Sequence, residues 1–276
     1  MNEILSTLKF FYPQIVIGIL IGSLTACLGV ILVLRRMAFF GVSLSHVVSS
    51  SVAVSLFLGI KSDLLILLIS TFFMIPLVML YKNEDLSGDT ILGIILVFFS
   101  SISQLLLSLG GNVKNHLMAA YFGDILTSQV KFSPEIISIL LFCSLLFLIL
   151  YKRILFLSFD EIEFKIRKLS PRLTEFSFYF IMTVSISISV NLFGSFFSIA
   201  HLLIPVYTGL FFARSMRFLY FFSIGFSVFS TLIGFLFSLK SFTYNSEIIY
   251  LPTSSTIVVT MVIISLVSFI IKKSLK

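Results

Sequence analysis

The chain is poor in charge and contains no tryptophan: 11% of its 276 residues are charged, whereas 58% are hydrophobic. This composition is typical of an integral membrane protein and excludes a soluble domain. The two cysteines, Cys27 and Cys143, lie in separate apolar runs without CxxC spacing, so they indicate neither a disulfide framework nor a metal knuckle. Phosphate loops of the GxxxxGK[ST] type, GxSxG elbows and HExxH pairs are also missing. We therefore expect no catalytic chemistry here, and if ATP drives this protein, another chain must hydrolyse it.

Repeats and low-complexity linkers are absent too, which predicts a single domain over 1–276. A membrane-spanning helix needs roughly 20 apolar residues. The sequence predicts an all-α, polytopic membrane protein with eight or nine transmembrane helices, because only Gly194 separates two of the runs and the second of these carries Pro205 and Gly209. The predicted spans are 14–34, 43–60, 63–81, 91–109, 134–151, 176–193, 195–212, 217–239 and 254–271.

The basic residues are distributed unevenly between the two sides of this nine-span arrangement. Only five of the 19 basic residues fall on one side, namely Lys9, Lys61, Lys114, Lys131 and Lys240. The positive-inside rule places the richer side in the cytoplasm, with the N-terminus outside and the C-terminus inside. The net charge of +7 is thus explained by cytoplasmic loops, and we expect no nucleic-acid partner.

Two segments on the basic side are candidates for contact with a soluble protein. Lys152–Glu175 mixes acidic and basic residues densely and is either a solvated loop or a docking surface. Ile204–Arg217 begins with a proline and ends with Arg214 and Arg217, which is the usual asymmetry of a short helix. Such an amphipathic helix at the membrane surface could dock a partner, although a simple helix connector would show the same pattern.

One histidine lies within a predicted span close to the basic side. Arg35 and Arg36 end the first apolar run, Gly41 follows, and His46 lies about a turn inside the next run. Arginines at a helix end reach the headgroups at little cost. An ionisable group inside the membrane is by contrast a functional candidate.

Five segments, taken in order along the chain, resemble the motifs of ABC-transporter permeases for zinc, manganese and iron uptake. Each motif is weak alone, but together they cover nearly the whole chain. They include Arg35, Arg36, Gly41, Ser45, Asp89, Gly93, Gly123, Asp124 and Asp160. In full, the segments are Arg35-Arg36-Met37 with Gly41 and Leu44-Ser45-His46, Ser87–Gly93, Tyr121–Leu126, Ser158-Phe159-Asp160, and Leu203-Ile204-Pro205 through Ala213-Arg214-Ser215.

The resemblance implies a permease in the cytoplasmic (inner) membrane, multi-pass and surrounded by lipid. Two copies would form a homodimer, bind two cytoplasmic ATP-binding subunits and receive cargo from an extracytoplasmic metal-binding protein. The chain would hold no covalent cofactor: the divalent metal would be transported, and ATP would bind the partner. Contact with the ATPase would fall on Ile204, Pro205, Thr208, Gly209, Ala213, Arg214, Ser215 and Arg217.

One position departs from the pattern of this family. An aspartate usually lies four residues before the histidine, and this chain has Val42 there, while His46 is kept. Residues i and i+4 share a helix face, so the usual pair could present two ligands together. His201 stands where the family usually has an aliphatic residue. We expect His46, and as a second candidate His201, to contact the metal.

Two alternatives stay open. Val42 favours a permease of the same kind whose cargo is a metal chelate. The second alternative is a secondary transporter that needs no ATPase, but such a protein should carry charged or polar groups along a pathway within its spans. Here the acidic residues lie mostly at span ends and in loops. Co-purification with a nucleotide-binding subunit would distinguish the two classes.

Overall fold

The computed structural model describes residues 11–60, 62–81, 88–108, 134–239, 241–244 and 247–274. These residues form ten helices and one short β-hairpin. The helices are α1 (Tyr12–Leu34), α2 (Ala38–Phe57), α3 (Asp63–Tyr81), α4 (Gly88–Ser108), α5 (Pro134–Phe159), α6 (Glu161–Ile166), α7 (Pro171–Phe193), α8 (Ser195–Phe212), α9 (Met216–Ser238) and α10 (Thr253–Ser274), and the strands are β1 (Ser241–Tyr244) and β2 (Glu247–Tyr250).

Nine of the ten helices described here, all except α6, are long and apolar enough to cross a membrane. The sequence predicted eight or nine spans, and the higher number is confirmed. Two helices extend further into the charged segment than their apolar runs indicated. α5 continues to Phe159 and α7 begins at Pro171, because helical hydrogen bonding does not stop where hydrophobicity does.

The hairpin is a small exception to the all-α prediction. β1 and β2 pair antiparallel, with Ser241 opposite Tyr250 and Tyr244 opposite Glu247. The segment is rich in aromatic and β-branched residues, which favour strands, and it lies between two spans rather than within one. An open sheet edge is tolerated only outside the hydrocarbon, so the hairpin is consistent with a loop beyond the membrane core.

Gly194 separates α7 from α8 with a positive φ of 86°, a conformation that suits glycine. This confirms the division of the least certain pair of spans. α8 itself is a single helix from Ser195 to Phe212, with Pro205 inside it. Pro205 has no N–H, so it cannot donate to the carbonyl of His201 in the preceding turn.

The centre of the protein is formed by α1, α2, α7 and α8, whose side chains are mostly buried, whereas α3, α5 and α10 expose most of theirs. α1 approaches α8 through glycines. A methyl group at Gly29 would lie 1.9 Å from the carbonyl oxygen of Leu202, and one at Gly22 would lie 2.6 Å from Cδ2 of His201. Small residues permit this close packing in a membrane, where van der Waals contact drives helix association.

Contacts between helix ends show which ends lie on the same side of the membrane. Arg35, just after α1, reaches Ser158 near the end of α5. On the other side, Asn191 near the end of α7 donates a hydrogen bond to Asp63 at the start of α3 over 3.1 Å. Lys272 at the end of α10 lies over the rings of Phe211 and Phe212 at the end of α8. These pairings match the alternation that nine consecutive spans require.

Candidate metal pathway and coupling segment

His46 and Val42 share the less buried side of α2. Between Phe40 and Ala53, only Val42 and His46 are partly exposed, and all the remaining residues of the helix are buried. The spacing of four residues therefore places both side chains on one face of the helix, as the sequence predicted. This strip of α2 is the place at which an intramembrane histidine can meet a ligand or a second chain.

The imidazole of His46 is oriented by α4. Its Nδ1 lies 3.1 Å from Oγ of Ser100. One turn closer to the basic side, Oγ of Ser43 donates to the carbonyl of Leu92 over 3.1 Å. A metal-binding histidine commonly has its other ring nitrogen held by a hydrogen bond, which fixes the tautomer and the ring. When Nδ1–H donates to Ser100, the lone pair lies on Nε2.

A complete metal site is not present within one described chain. Among residues 11–60, 62–81, 88–108, 134–239, 241–244 and 247–274, no group of three or more His, Cys, Asp or Glu side chains could hold an ion together. A pathway that uses His46 therefore needs ligands from elsewhere, such as a second copy of the chain, water or the cargo itself.

His201 has a different environment, fully buried among α1, α8 and α9. Nδ1 lies 2.9 Å from the carbonyl oxygen of Phe197, Nε2 lies 2.9 Å from Oγ1 of Thr231, and the ring packs on that of Phe197 at 3.9 Å. Both nitrogens are thus occupied by protein partners. Binding an ion at His201 would break at least one of these bonds, so its contact with metal stays a prediction.

The motif glycines and Ser45 serve packing near the basic end of α2. A methyl group at Gly41 would lie 2.5 Å from a methyl carbon of Leu202, and Ser45 donates to the carbonyl of Gly41 over 3.0 Å. Asp89 lies in the first turn of α4, where a carboxylate is favourable beside the helix N-terminus. At Gly93, in the same helix, an added methyl group would lie 3.9 Å from Cε1 of Phe39, which is ordinary van der Waals contact.

Arg35 joins three helices at the basic side. Its Nε donates to Oγ of Ser158 over 2.7 Å, and Nη1 lies 3.8 Å from the carboxylate of Glu175. The guanidinium also lies over the ring of Phe178 at 5.6 Å. The next residue, Arg36, is exposed and has a left-handed backbone with φ of 58°. The structure thus connects two motifs that are 123 residues apart in sequence.

Asp160, which follows Ser158 in the same motif, caps the short helix α6. Its carboxylate accepts a hydrogen bond from the backbone N–H of Glu163 over 2.8 Å. This satisfies one of the N–H groups that a helix start leaves unpaired. The motif residues Gly123 and Asp124 lie outside the described residues.

The coupling segment, Ile204–Arg217, comprises the last turns of α8, a short link and the start of α9. Its members divide by exposure: Pro205, Thr208 and Gly209 are buried, Ile204 and Ala213 are half-buried, and Arg214, Ser215 and Arg217 are exposed. Tyr207, Leu210 and Phe218 expose 60%, 41% and 45% of their surface. Exposed aromatic and basic residues thus lie together on the basic side, a composition found at protein interfaces.

The start of this segment differs from the prediction. Pro205 does not begin a surface helix but lies inside a transmembrane helix that began ten residues earlier, at Ser195. The chain turns at Ala213, which has extended dihedral angles, and α9 starts with Ser215 as its cap, accepting from the N–H of Phe218 over 3.3 Å. The proline was interpreted as a helix start, but the apolar run continues through Pro205 and the helix continues with it.

The family model described as the ABC 3 transport family matches residues 7–272. The chain belongs to this family. A high-affinity zinc uptake system membrane protein, ZnuB, of Buchnera aphidicola subsp. Baizongia pistaciae is 28% identical over 94% of this chain and 97% of its own. A manganese import system permease protein, ScaB, of Streptococcus gordonii is 25% identical over 95% and 91%. The solved structure of PsaBC from Streptococcus pneumoniae in complex with Fab is similar in fold, with a TM-score of 0.81, 23% identity, and coverage of 97% of this chain and 95% of that one.

Membership of the ABC 3 family confirms the resemblance that the motifs suggested. Together with the nine apolar helices among the described residues, it makes this a multi-pass membrane protein. Two contributors to the site were missed at the sequence level, namely Ser100 and Glu175. A serine within an apolar span is a weak signal, since the hydroxyl often bonds its own helix instead. Glu175 was assigned to a charged segment, and nothing in its spacing indicated Arg35 as a partner.

Proposed function

We propose that this chain is the membrane permease subunit of a binding-protein-dependent ABC importer that moves a divalent metal ion, namely zinc, iron or manganese. The observation that carries the proposal is the family match over residues 7–272, to a chain whose relatives include permeases named for zinc and for manganese. An intramembrane histidine on a partly exposed helix face supports it.

The partners follow from this assignment. The permease domain works as a pair of identical chains, with ATP hydrolysed by separate ATP-binding subunits on the cytoplasmic side and cargo delivered by an extracytoplasmic metal-binding protein. The side that carries Arg35, Lys272 and the coupling segment faces the cytoplasm. Its richness in basic residues supports this orientation.

The metal pathway runs along the strip of α2 that holds Val42 and His46. In the homodimer this strip faces its counterpart, so two imidazoles approach the path, each oriented by Ser100 of its own chain. Imidazole suits zinc and ferrous iron, whereas manganese prefers carboxylate oxygen. With Val42 in place of an aspartate, the path lacks two carboxylates, and zinc or iron is the expected cargo.

A metal chelate is a second candidate cargo, and Val42 is the observation that favours it. A chelate brings its own ligands, so the pathway needs only shape and a few polar contacts, and an apolar residue beside His46 would then be appropriate. The two cargoes are distinguished by whether free ions support transport.

Coupling to the ATPase lies in Ile204–Arg217. The exposed side chains of Tyr207 and Leu210 offer an apolar surface, and Arg214 and Arg217 offer charge. A basic rim around an apolar centre can fix the register of a docked protein.

The test is reconstitution of the permease with its ATPase in vesicles that receive the loaded binding protein. ATP-dependent uptake of zinc, iron or manganese is expected, and no uptake without the ATPase. The matched control is a variant of the ATPase that binds ATP but does not hydrolyse it. Uptake that continues with that control would identify a secondary transporter, and uptake of a chelate but of no free ion would favour the second candidate.

A further inference from the structure

One face of the last described helix, α10, packs against the part of the coupling segment that lies in α8. Oγ of Ser265 lies 2.7 Å from Oγ1 of Thr208, and the ring of Phe269 lies 5.2 Å from that of Phe211. One turn further, Nζ of Lys272 lies 5.9 Å from the ring centre of Phe211 and 5.6 Å from that of Phe212. Residues spaced by four and then three lie on one side of a helix. Three successive levels of α10 therefore contact the end of α8.

The end of α8 needs such support because Pro205 weakens the helix just before it. Without an N–H at Pro205, the carbonyl of His201 loses its usual intrahelical donor. The turns beyond the proline keep their own backbone hydrogen bonds and also pack against neighbouring helices. On one side, Gly209 packs against α9, where a methyl group would lie 2.9 Å from Cδ1 of Leu219. On the other side lies α10.

Packing alone does not close the contact between α8 and α10. A cleft of about 320 Å³ lies beside it, lined by Ile204, Tyr207, Val262, Ser265 and Leu266 among others. The hydroxyl pair Thr208–Ser265 therefore joins the two helices across an incompletely filled interface. Thr208 also lies 2.8 Å from the carbonyl oxygen of Ile204.

Lys272 completes the contact at the membrane surface. An ammonium group near the faces of two phenylalanine rings is attracted by their negative π faces. The adjacent Lys273 is exposed, so two neighbouring cations differ in their surroundings. Lys272 is half-buried, and its apolar stem can cover the rings while its charged end reaches the headgroups.

We propose that α10 holds the coupling segment in its working position, and that Ser265, Phe269 and Lys272 are positioning residues for coupling. This inference rests on the proposed function, in which Ile204–Arg217 receives the ATPase. A force applied by the ATPase to the end of α8 is transmitted into the bundle only when that end is fixed to its neighbours. With the contact to α10 removed, ATP is hydrolysed with less metal moved.

The experiment compares matched pairs of variants in vesicles that contain the permease, its ATPase and the zinc-loaded binding protein. Ser265→Ala removes the hydroxyl that meets Thr208, and its control is Ser268→Ala, because Ser268 donates to the carbonyl of Ile264 in its own helix. Lys272→Gln removes the cation near the rings, and its control is Lys273→Gln. The quantity measured is zinc transported per ATP hydrolysed.

We expect this ratio to fall at least threefold in Ser265→Ala and Lys272→Gln, to stay within the wild-type range in both controls, and to recover in Ser265→Thr, which restores a hydroxyl. A ratio unchanged in the two test variants, or lowered equally in their controls, would overturn the proposal. If gel filtration shows that Ser265→Ala is not properly folded, the result for the surface variant Lys272→Gln decides whether the proposal holds.

A further variant separates this inference from the assignment on which it rests. Replacing Arg214 and Arg217 together by glutamate tests whether Ile204–Arg217 couples at all. If that double variant transports normally, the assignment of the coupling segment fails. If it loses coupling while Ser265→Ala and Lys272→Gln keep it, only the role of α10 fails.

Discussion

Arg35 donates a hydrogen bond from Nε to Oγ of Ser158 over 2.7 Å, and this single contact joins the end of α1 to the end of α5. The same guanidinium reaches the carboxylate of Glu175 on α7. The serine in turn donates to the carbonyl of Ile154 over 2.6 Å. Three helices of the permease are thus fixed to one another at the side from which the ATPase is proposed to act.

Nη2 of Arg35 also donates to the carbonyl of Ile154 over 3.4 Å. Arg35→Lys is expected to destabilise the protein by about 1–3 kcal/mol, because a lysine has a single ammonium and cannot reach Ser158, Ile154 and Glu175 together. Arg36→Lys is the control, since Arg36 is exposed. Thermal unfolding of the purified protein in mild detergent measures the difference. Equal melting temperatures for the two variants would show that the contact carries little stability.

Replacing Arg214 and Arg217 together by glutamate is expected to abolish ATP-driven uptake while the protein still inserts into the membrane. The reversed charge repels whatever acidic groups the ATPase presents to this surface, and like charges facing each other cost several kcal/mol. Uptake in reconstituted vesicles and capture of the ATPase by the purified permease are the measurements. Lys273→Glu, which changes an exposed basic residue outside both candidate docking segments, controls for general charge effects.

His201→Ala is expected to lower stability by about 2–4 kcal/mol, because it removes a fully buried ring and leaves Thr231 without that partner. The folded fraction should transport the same metals as the wild type. Melting temperature and uptake normalised to folded protein separate the two effects. A variant that melts normally but has lost transport would place His201 in the metal pathway.

The sequence was sufficient for the spans and for the face of α2, because both depend on the local period of apolar residues. Val42 and His46 share a side as four-residue spacing requires, and Gly194 divides α7 from α8 as predicted. The partners Ser100, Thr231 and Ser265 could not be predicted, because each belongs to a contact between helices that are distant in sequence. The two partners of the His201 ring, Phe197 and Thr231, likewise became visible only in the structure, because the sequence does not indicate which helix packs against this histidine.

Labelling with an impermeant thiol reagent should establish the topology. A cysteine introduced at Ile162 in α6, where the side chain is 75% exposed, should be protected from reagent applied outside intact cells. A cysteine at Thr243 in β1 should react, because three spans separate it from α6 and the hairpin then lies outside. The wild type, whose Cys27 and Cys143 lie within spans, is the blank. The reverse labelling pattern would invert the orientation, and labelling of both from one side would change the number of spans between them.

Metal preference should depend on the position four residues before His46. In the proposed homodimer, Val42→Asp would add two carboxylates to the strip proposed to line the path, one from each chain. Carboxylate oxygen suits manganese, whereas the two imidazoles of the wild type suit zinc and iron. We therefore expect Val42→Asp to raise manganese uptake relative to zinc, by about tenfold if the added ligands stabilise the bound ion by about 1.4 kcal/mol. Val42→Asn, which adds a polar group of similar size without charge, is the control.

His46→Ala completes this comparison, because it removes the imidazole and leaves the rest of α2 in place. Uptake of zinc should fall by at least tenfold, while the melting temperature changes little, since the ring is only partly buried. Ser100→Ala should have a smaller effect in the same direction, because it removes the group that orients the ring and not the ligand itself. If His46→Ala transports every metal as well as the wild type, the histidine is structural. If the wild type already prefers manganese and Val42→Asp leaves that preference unchanged, charge at this position does not select the metal, even with His46 in the path.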